Sequence, residues 1–198
     1  MWDLEANMAK QAGILTSAEF RRSLAIAKAG KHGERNAMAL CLSFYAGLRA
    51  KEISSLKIGD VFTAKKEVVS LANLTKEQTK GSKSRTIAIN SKLAAALRTY
   101  YEQMDLVQYD SSEPLLLSQK GKAITPNSLT CILIKLYKDA GLEKKSGHSG
   151  RRSFLTNLAD KGVGIHILKE LAGHQNIQTT ARYLATSPTK LLNAAELI

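Results

Sequence analysis

Residues 147–184, GHSGRRSFLTNLADKGVGIHILKELAGHQNIQTTARYL, decide how this chain is read. Apolar positions recur there in short runs, which predicts helices over Arg151–Lys161, Ile165–Ala172 and Ile177–Leu184. His148 and Arg151 stand three apart at the first helix start, so they share a face at the positive end of the helix dipole. An anion is welcome at such a place. His174 follows a glycine turn, and Tyr183 comes nine positions later. Taken alone, these would be satisfied polar groups on a helical surface, with Tyr183 a half-buried core tyrosine.

Two upstream segments change that reading. Ala46-Gly47-Leu48-Arg49-Ala50-Lys51-Glu52-Ile53 places an arginine directly after an apolar helix and a glycine break. Its planar fork suits a phosphate, and Glu52, three residues on, can hold it. Gln78-Thr79-Lys80-Gly81-Ser82-Lys83-Ser84-Arg85 is a glycine-containing turn loaded with cations, fit to approach a nucleic-acid backbone or to be a solvated hairpin tip. Its glycine and lysine spacing is not that of a Walker loop.

The remainder frames these segments. Thr16-Ser17-Ala18-Glu19 is a capping box opening a helix through Ala29, and an apolar helix follows over Glu34–Tyr45. Ala50–Leu56 predicts a third helix, Ser91–Met104 a fourth, and Thr125-Pro126 opens one ending at Asp139. Val61-Phe62, Val68–Leu71 and Arg85–Ile89 are β-branched and alternate, which predicts short antiparallel strands. Thr189–Leu197 predicts a last helix, whose Leu191, Leu192, Ala195 and Leu197 form an apolar face. The fold class is mainly α with a small antiparallel β-sheet. Residues 1–15 are an N-terminal extension and 16–198 one domain.

Among the 198 residues, 29 Lys and Arg against 17 Asp and Glu leave +12, which favours a polyanionic partner. No stretch approaches the roughly 18 apolar residues of a membrane span, and the N-terminus lacks a secretory signal. Cys41 and Cys131 lie in apolar runs and read as buried, reduced thiols. Together the three segments supply an oxygen nucleophile, cations for a developing phosphorane charge, and proton carriers. The carboxylate cluster of a metal-assisted nuclease is not evident, so no metal and no cofactor are expected.

In order and spacing these motifs resemble the tyrosine recombinases, or phage integrase family. The matches are Gly-Leu-Arg-x-x-Glu at 47–52, Thr-Lys-Gly-x-Lys-x-Arg at 79–85, His-x-x-Arg at 148–151, Gly-His at 173–174 and Thr-x-x-Tyr at 180–183. The resemblance spans the chain from Thr16 and implies that family's catalytic-domain fold. It implies that Tyr183 attacks the scissile phosphate to leave a 3′-phosphotyrosyl link, while Arg49 and Arg151 clamp the non-bridging oxygens. Lys80 would protonate the leaving 5′-oxygen, with Lys83 as competitor. His148 would assist proton transfer, His174 would hydrogen-bond the phosphate, and Glu52 would support the site.

Lys76, Lys83, Arg85, Lys144, Lys145 and Arg152 are expected as flanking duplex contacts. One departure is Gly150, where the family has leucine; it removes an apolar anchor beside Arg151. The other is the short segment before the first helix, expected of either a catalytic fragment of a longer protein or a minimal recombinase. The expected partner is double-stranded DNA, bound by a tetramer of protomers on paired sites, with accessory DNA-bending proteins and no membrane. The tail from Ser187 to Ile198 would dock on a neighbouring protomer or on its own core. The expected location is the cytoplasm, at the nucleoid. The alternatives are a silent DNA-binding regulator of the same fold and a type IB topoisomerase-like nicking and resealing enzyme.

Overall fold

In a computed structural model, residues 12–79, 83–184 and 195–196 are described. Lys80 and the tail leucines Leu191, Leu192 and Leu197 lie outside them, as does all of the expected last helix except Ala195 and Glu196. Helix α1 spans Ser17–Ala29, and its capping box forms as expected: Glu19 N donates to Thr16 Oγ1 at 3.1 Å and Thr16 N to Glu19 Oε2 at 2.7 Å. Helix α2, Gly33–Tyr45, is the hub. Its run from Ala37 to Ser43 is buried on every face, as a helix enclosed by others must be.

Helices α3 (Ala50–Ser55) and α4 (Ile58–Val61) follow, then strands β1 (Leu71–Leu74) and β2 (Arg85–Ala88), paired antiparallel with Leu74 opposite Arg85. Helix α5 is Ser91–Gln103, a 3₁₀ turn spans Leu106–Gln108, and α6 is Pro126–Asp139 with Thr125 as its cap. Helices α7 (Ser149–Asp160), α8 (Ile165–Ala172) and α9 (Ile177–Ala181) complete the order. Helix α2 packs against α1, α5, α6 and α7, while β2 rests on α8. The hairpin and the last three helices are therefore gathered around the start of α3.

Several boundaries differ from those the sequence predicts. Val61-Phe62 is not a strand: Asp60 accepts the Lys57 N–H at 2.8 Å and closes the turn of α4, leaving Phe62 one bridge to Val68. Of Val68–Leu71 only Leu71 enters β1, because the partner strand sets the register. Helix α9 stops at Ala181, and Arg182–Leu184 lie beyond it. Cys131 is exposed, not buried. The buried stripe of α6 is Leu129, Leu133, Leu136 and Tyr137, and position 131 falls on the opposite face.

Candidate active site

Glu52 is the buried centre of the site. Its carboxylate accepts from Arg49 N at 2.8 Å, Arg49 Nη1 at 2.9 Å, Arg85 Nε at 3.1 Å and Arg85 Nη2 at 2.7 Å. Those bonds use the carboxylate's full accepting capacity. Burial pushes its pKa up, but Arg85, the Arg49 backbone N–H and Arg49 outweigh that and hold it below the usual carboxylate range. Arg49 sits at the cap of α3, with Nη2 3.3 Å from Gly173 O.

Gly47 supplies the turn that delivers Arg49. Its φ is +62°, and a Cβ there would stand 2.4 Å from Phe154 Cδ1, so only glycine fits. The freed carbonyl accepts from Arg151 Nη1 at 2.6 Å.

Arg151 is 5% exposed. Its Nη2 donates to Ala172 O at 2.5 Å and lies 3.2 Å from His174 Nε2. Burial, then the like charges of Arg49 and Arg85, pull its pKa down, yet a guanidinium stays cationic at neutral pH. Because arginine only donates, His174 Nε2 is the acceptor. The ring proton is therefore on Nδ1, donated to the fully buried Thr180 Oγ1 at 3.0 Å; this tautomer is assigned from the network. Burial, Arg151, Arg49 and Arg85 lower the His174 pKa to about 4, so the imidazole is neutral at pH 7.

Tyr183 follows α9, its N–H bonded to Thr180 O at 3.0 Å. Its ring lies 6.1 Å from that of His174, inclined by 18°. One cleft of about 570 Å³ is lined by Arg49, Thr79, Lys83, Arg85, Lys169 and His174. A second, of about 360 Å³, is lined by His148, Arg151, Arg152, Arg182 and Tyr183. The hydrogen-bonded Arg151–His174 pair joins the two. Such a cation-lined surface beside a phenol can hold a phosphodiester and stabilise charge that develops on it.

Of the residues singled out from sequence, Arg49, Glu52, Arg151, His174 and Tyr183 converge here, with His148 exposed at the rim. Lys80 lies outside the described residues. Lys76, Lys83 and Lys144 are exposed, and Lys83 lines the first cleft.

Three of the residues expected as duplex contacts also make bonds within the protein. Arg85 has an 8% exposed side chain, spent on Glu52 and on Leu171 O at 2.6 Å. Lys145 pairs with Glu19 at 3.2 Å and donates to Ile14 O, while Arg152 donates to Ala12 O at 2.5 Å. Both pin the segment before α1. Gly150 is no lost anchor either: a Cβ there would stand 2.4 Å from Ser43 Oγ, so glycine is what lets α7 seat against α2. Sequence reasoning missed Thr180 as the partner of His174, although it lies in the Thr-x-x-Tyr motif. It also missed the carbonyls of Gly47 and Ala172, which no side-chain pattern announces.

The sequence model described as the phage integrase family matches residues 14–190. A tyrosine recombinase XerA of Thermococcus kodakarensis is 33% identical over 187 residues, covering 92% of this chain and 61% of that protein. A tyrosine recombinase XerC of Leptospira interrogans is 31% identical over 149 residues, 75% of this chain and 45% of that one. The crystal structure of XerA recombinase is similar with a TM-score of 0.75 at 23% identity, over 95% of this chain and 64% of the other. That of XerH site-specific recombinase bound to difH substrate gives 0.70 at 25% identity, over 92% and 53%. The chain thus spans about three-fifths or less of the length of these curated relatives.

Proposed function

This chain belongs to the phage integrase family, and from that premise we propose that it recombines double-stranded DNA at specific sites through a covalent tyrosyl intermediate. The observation that carries the reading is the Arg151–His174–Thr180 chain of contacts beside Tyr183, with Arg49 held by Glu52 in the adjoining cleft. A relative of the same fold is known in complex with its DNA substrate.

Tyr183 Oη attacks the phosphorus, forming the O–P bond as the P–O5′ bond breaks. Arg49 and Arg151 neutralise the two non-bridging oxygens in the pentacoordinate state. His174 donates to one of them once the phosphate draws Arg151 off its Nε2, which requires Nε2 to gain a proton or the tautomer to switch. His148 takes the phenolic proton, and Lys80, or Lys83 in its stead, protonates the departing 5′-oxygen. The phosphotyrosine retains the energy of the broken bond, so a 5′-hydroxyl from a second duplex reverses the step without ATP.

Exchange between duplexes implies several protomers on paired sites, and a tetramer with accessory DNA-bending proteins belongs to this proposal. So does the division into an extension, 1–15, and a catalytic domain, 16–198. Among the described residues no helix is long and apolar enough to cross a membrane; the proposed place of action is the cytoplasm, on nucleoid DNA. The test uses supercoiled plasmids carrying two copies of the recognised site. Site-dependent deletion or inversion products are expected; relaxation without rearrangement would instead support the topoisomerase alternative.

A further inference from the structure

The neck of the basic tip is tied to the helix that carries Glu52. Gln78 and Thr79 are 7% and 4% exposed, although Thr75, Lys76 and Glu77 before them and Lys83 and Ser84 after them are exposed. The Gln78 amide nitrogen donates to Ser55 O at 2.9 Å and Asp60 Oδ2 at 2.6 Å, while its oxygen accepts from Thr75 N at 2.8 Å. Lys51 Nζ donates to Thr79 O at 2.6 Å. Thr79 Oγ1 donates to Lys83 O at 2.6 Å and so joins the two sides of the turn.

Lys51 and Ser55, four apart, share one face of α3, and Glu52 on the adjacent face holds Arg49. One short helix is therefore the common reference for the arginine clamp and for the base of the tip. A solvated hairpin tip needs none of this, and burying an amide is tolerated only because each of its polar atoms is bonded.

We infer that Gln78 and Lys51 are positioning residues, which hold Thr79, and through its bond Lys83 at the cleft, relative to Arg49 and so govern proton delivery to the leaving 5′-oxygen. The inference rests on reading a tip lysine as the general acid.

The test uses the full chain and a nicked duplex recovered by covalent capture from a randomised pool. That duplex is resynthesised with sulfur in place of the bridging 5′-oxygen. A thiolate leaves without a proton, so an acid defect disappears on the sulfur substrate, whereas a clamp defect persists. Gln78→Ala is expected to slow adduct formation about 10-fold or more on the oxygen substrate. It should leave DNA affinity unchanged and match the parent within about twofold on sulfur. Lys51→Met, at an exposed residue, should behave the same way.

Equal slowing on both substrates, or none on either, overturns the proposal. Lys80→Ala and Lys83→Ala run alongside. If sulfur rescues neither, the general-acid reading fails and takes the proposal with it. If it rescues one of them but not the Gln78 variant, the mooring alone is wrong.

Discussion

Among single residues, Arg85 is a cation that holds Glu52. Its two bonds to Glu52 leave that carboxylate fixed for Arg49. Arg85→Lys keeps the charge but loses the fork. It is expected to slow cleavage at least about 10-fold with DNA affinity little changed, and to lower stability by about 1–3 kcal/mol in denaturant titrations. A loss of affinity with cleavage intact would restore Arg85 as a duplex contact. The strand period already hinted at the answer: Arg85 and Ile87 share a face, and Ile87 is buried. His174 gives a pH signature. Its pKa falls from 6.5 to about 4 on folding, so between those values the unfolded chain binds more protons. Stability is full above pH 6.5 and drains as pH falls towards 4; the depressed carboxyl of Glu52 adds a further loss at the acid end. Melting temperature should therefore drop over that range, and less steeply in His174→Gln than in the parent.

At the scale of elements, the seating of α7 on α2 decides where Arg151 points. Gly150 meets Ser43 so closely that Gly150→Ala must displace the Ser43 side chain and crowd its backbone, at about 1–3 kcal/mol, shifting the urea midpoint with the slope unchanged. The parent midpoint in that variant would mean the close approach is immaterial. Read from sequence, Gly150 was only a missing leucine, because Ser43 lies on a helix far away in the chain. The same limit hid the ties of Lys145 to Glu19 and of Arg152 to Ala12. Local signals fared better. The Thr16 capping box, the Thr125-Pro126 start of α6 and the Arg49–Glu52 pair all rest on contacts three residues apart or closer, and all formed. Val61-Phe62 misled because Asp60 closes a helical turn where β-branching suggested a strand.

At the scale of the whole molecule, the surplus of +12 divides into working and structural charge. Lys83, exposed and lining the first cleft, is available to a phosphate, whereas Lys145 is engaged within the protein. In DNA binding measured against salt, Lys83→Ala should reduce the slope of log K by about one, and Lys145→Ala should leave it unchanged. Equal slopes for both variants would refute that division. In the proposed reaction Tyr183 is the nucleophile, beside two adjoining clefts lined by Arg49 and His174 and by Arg151. The most direct measurement of that role is covalent capture on nicked duplexes followed by peptide mapping. The parent chain is expected to yield a denaturation-resistant adduct through Tyr183 that Tyr183→Phe abolishes. An adduct that survives the substitution, or that maps to another residue, would place the nucleophile elsewhere.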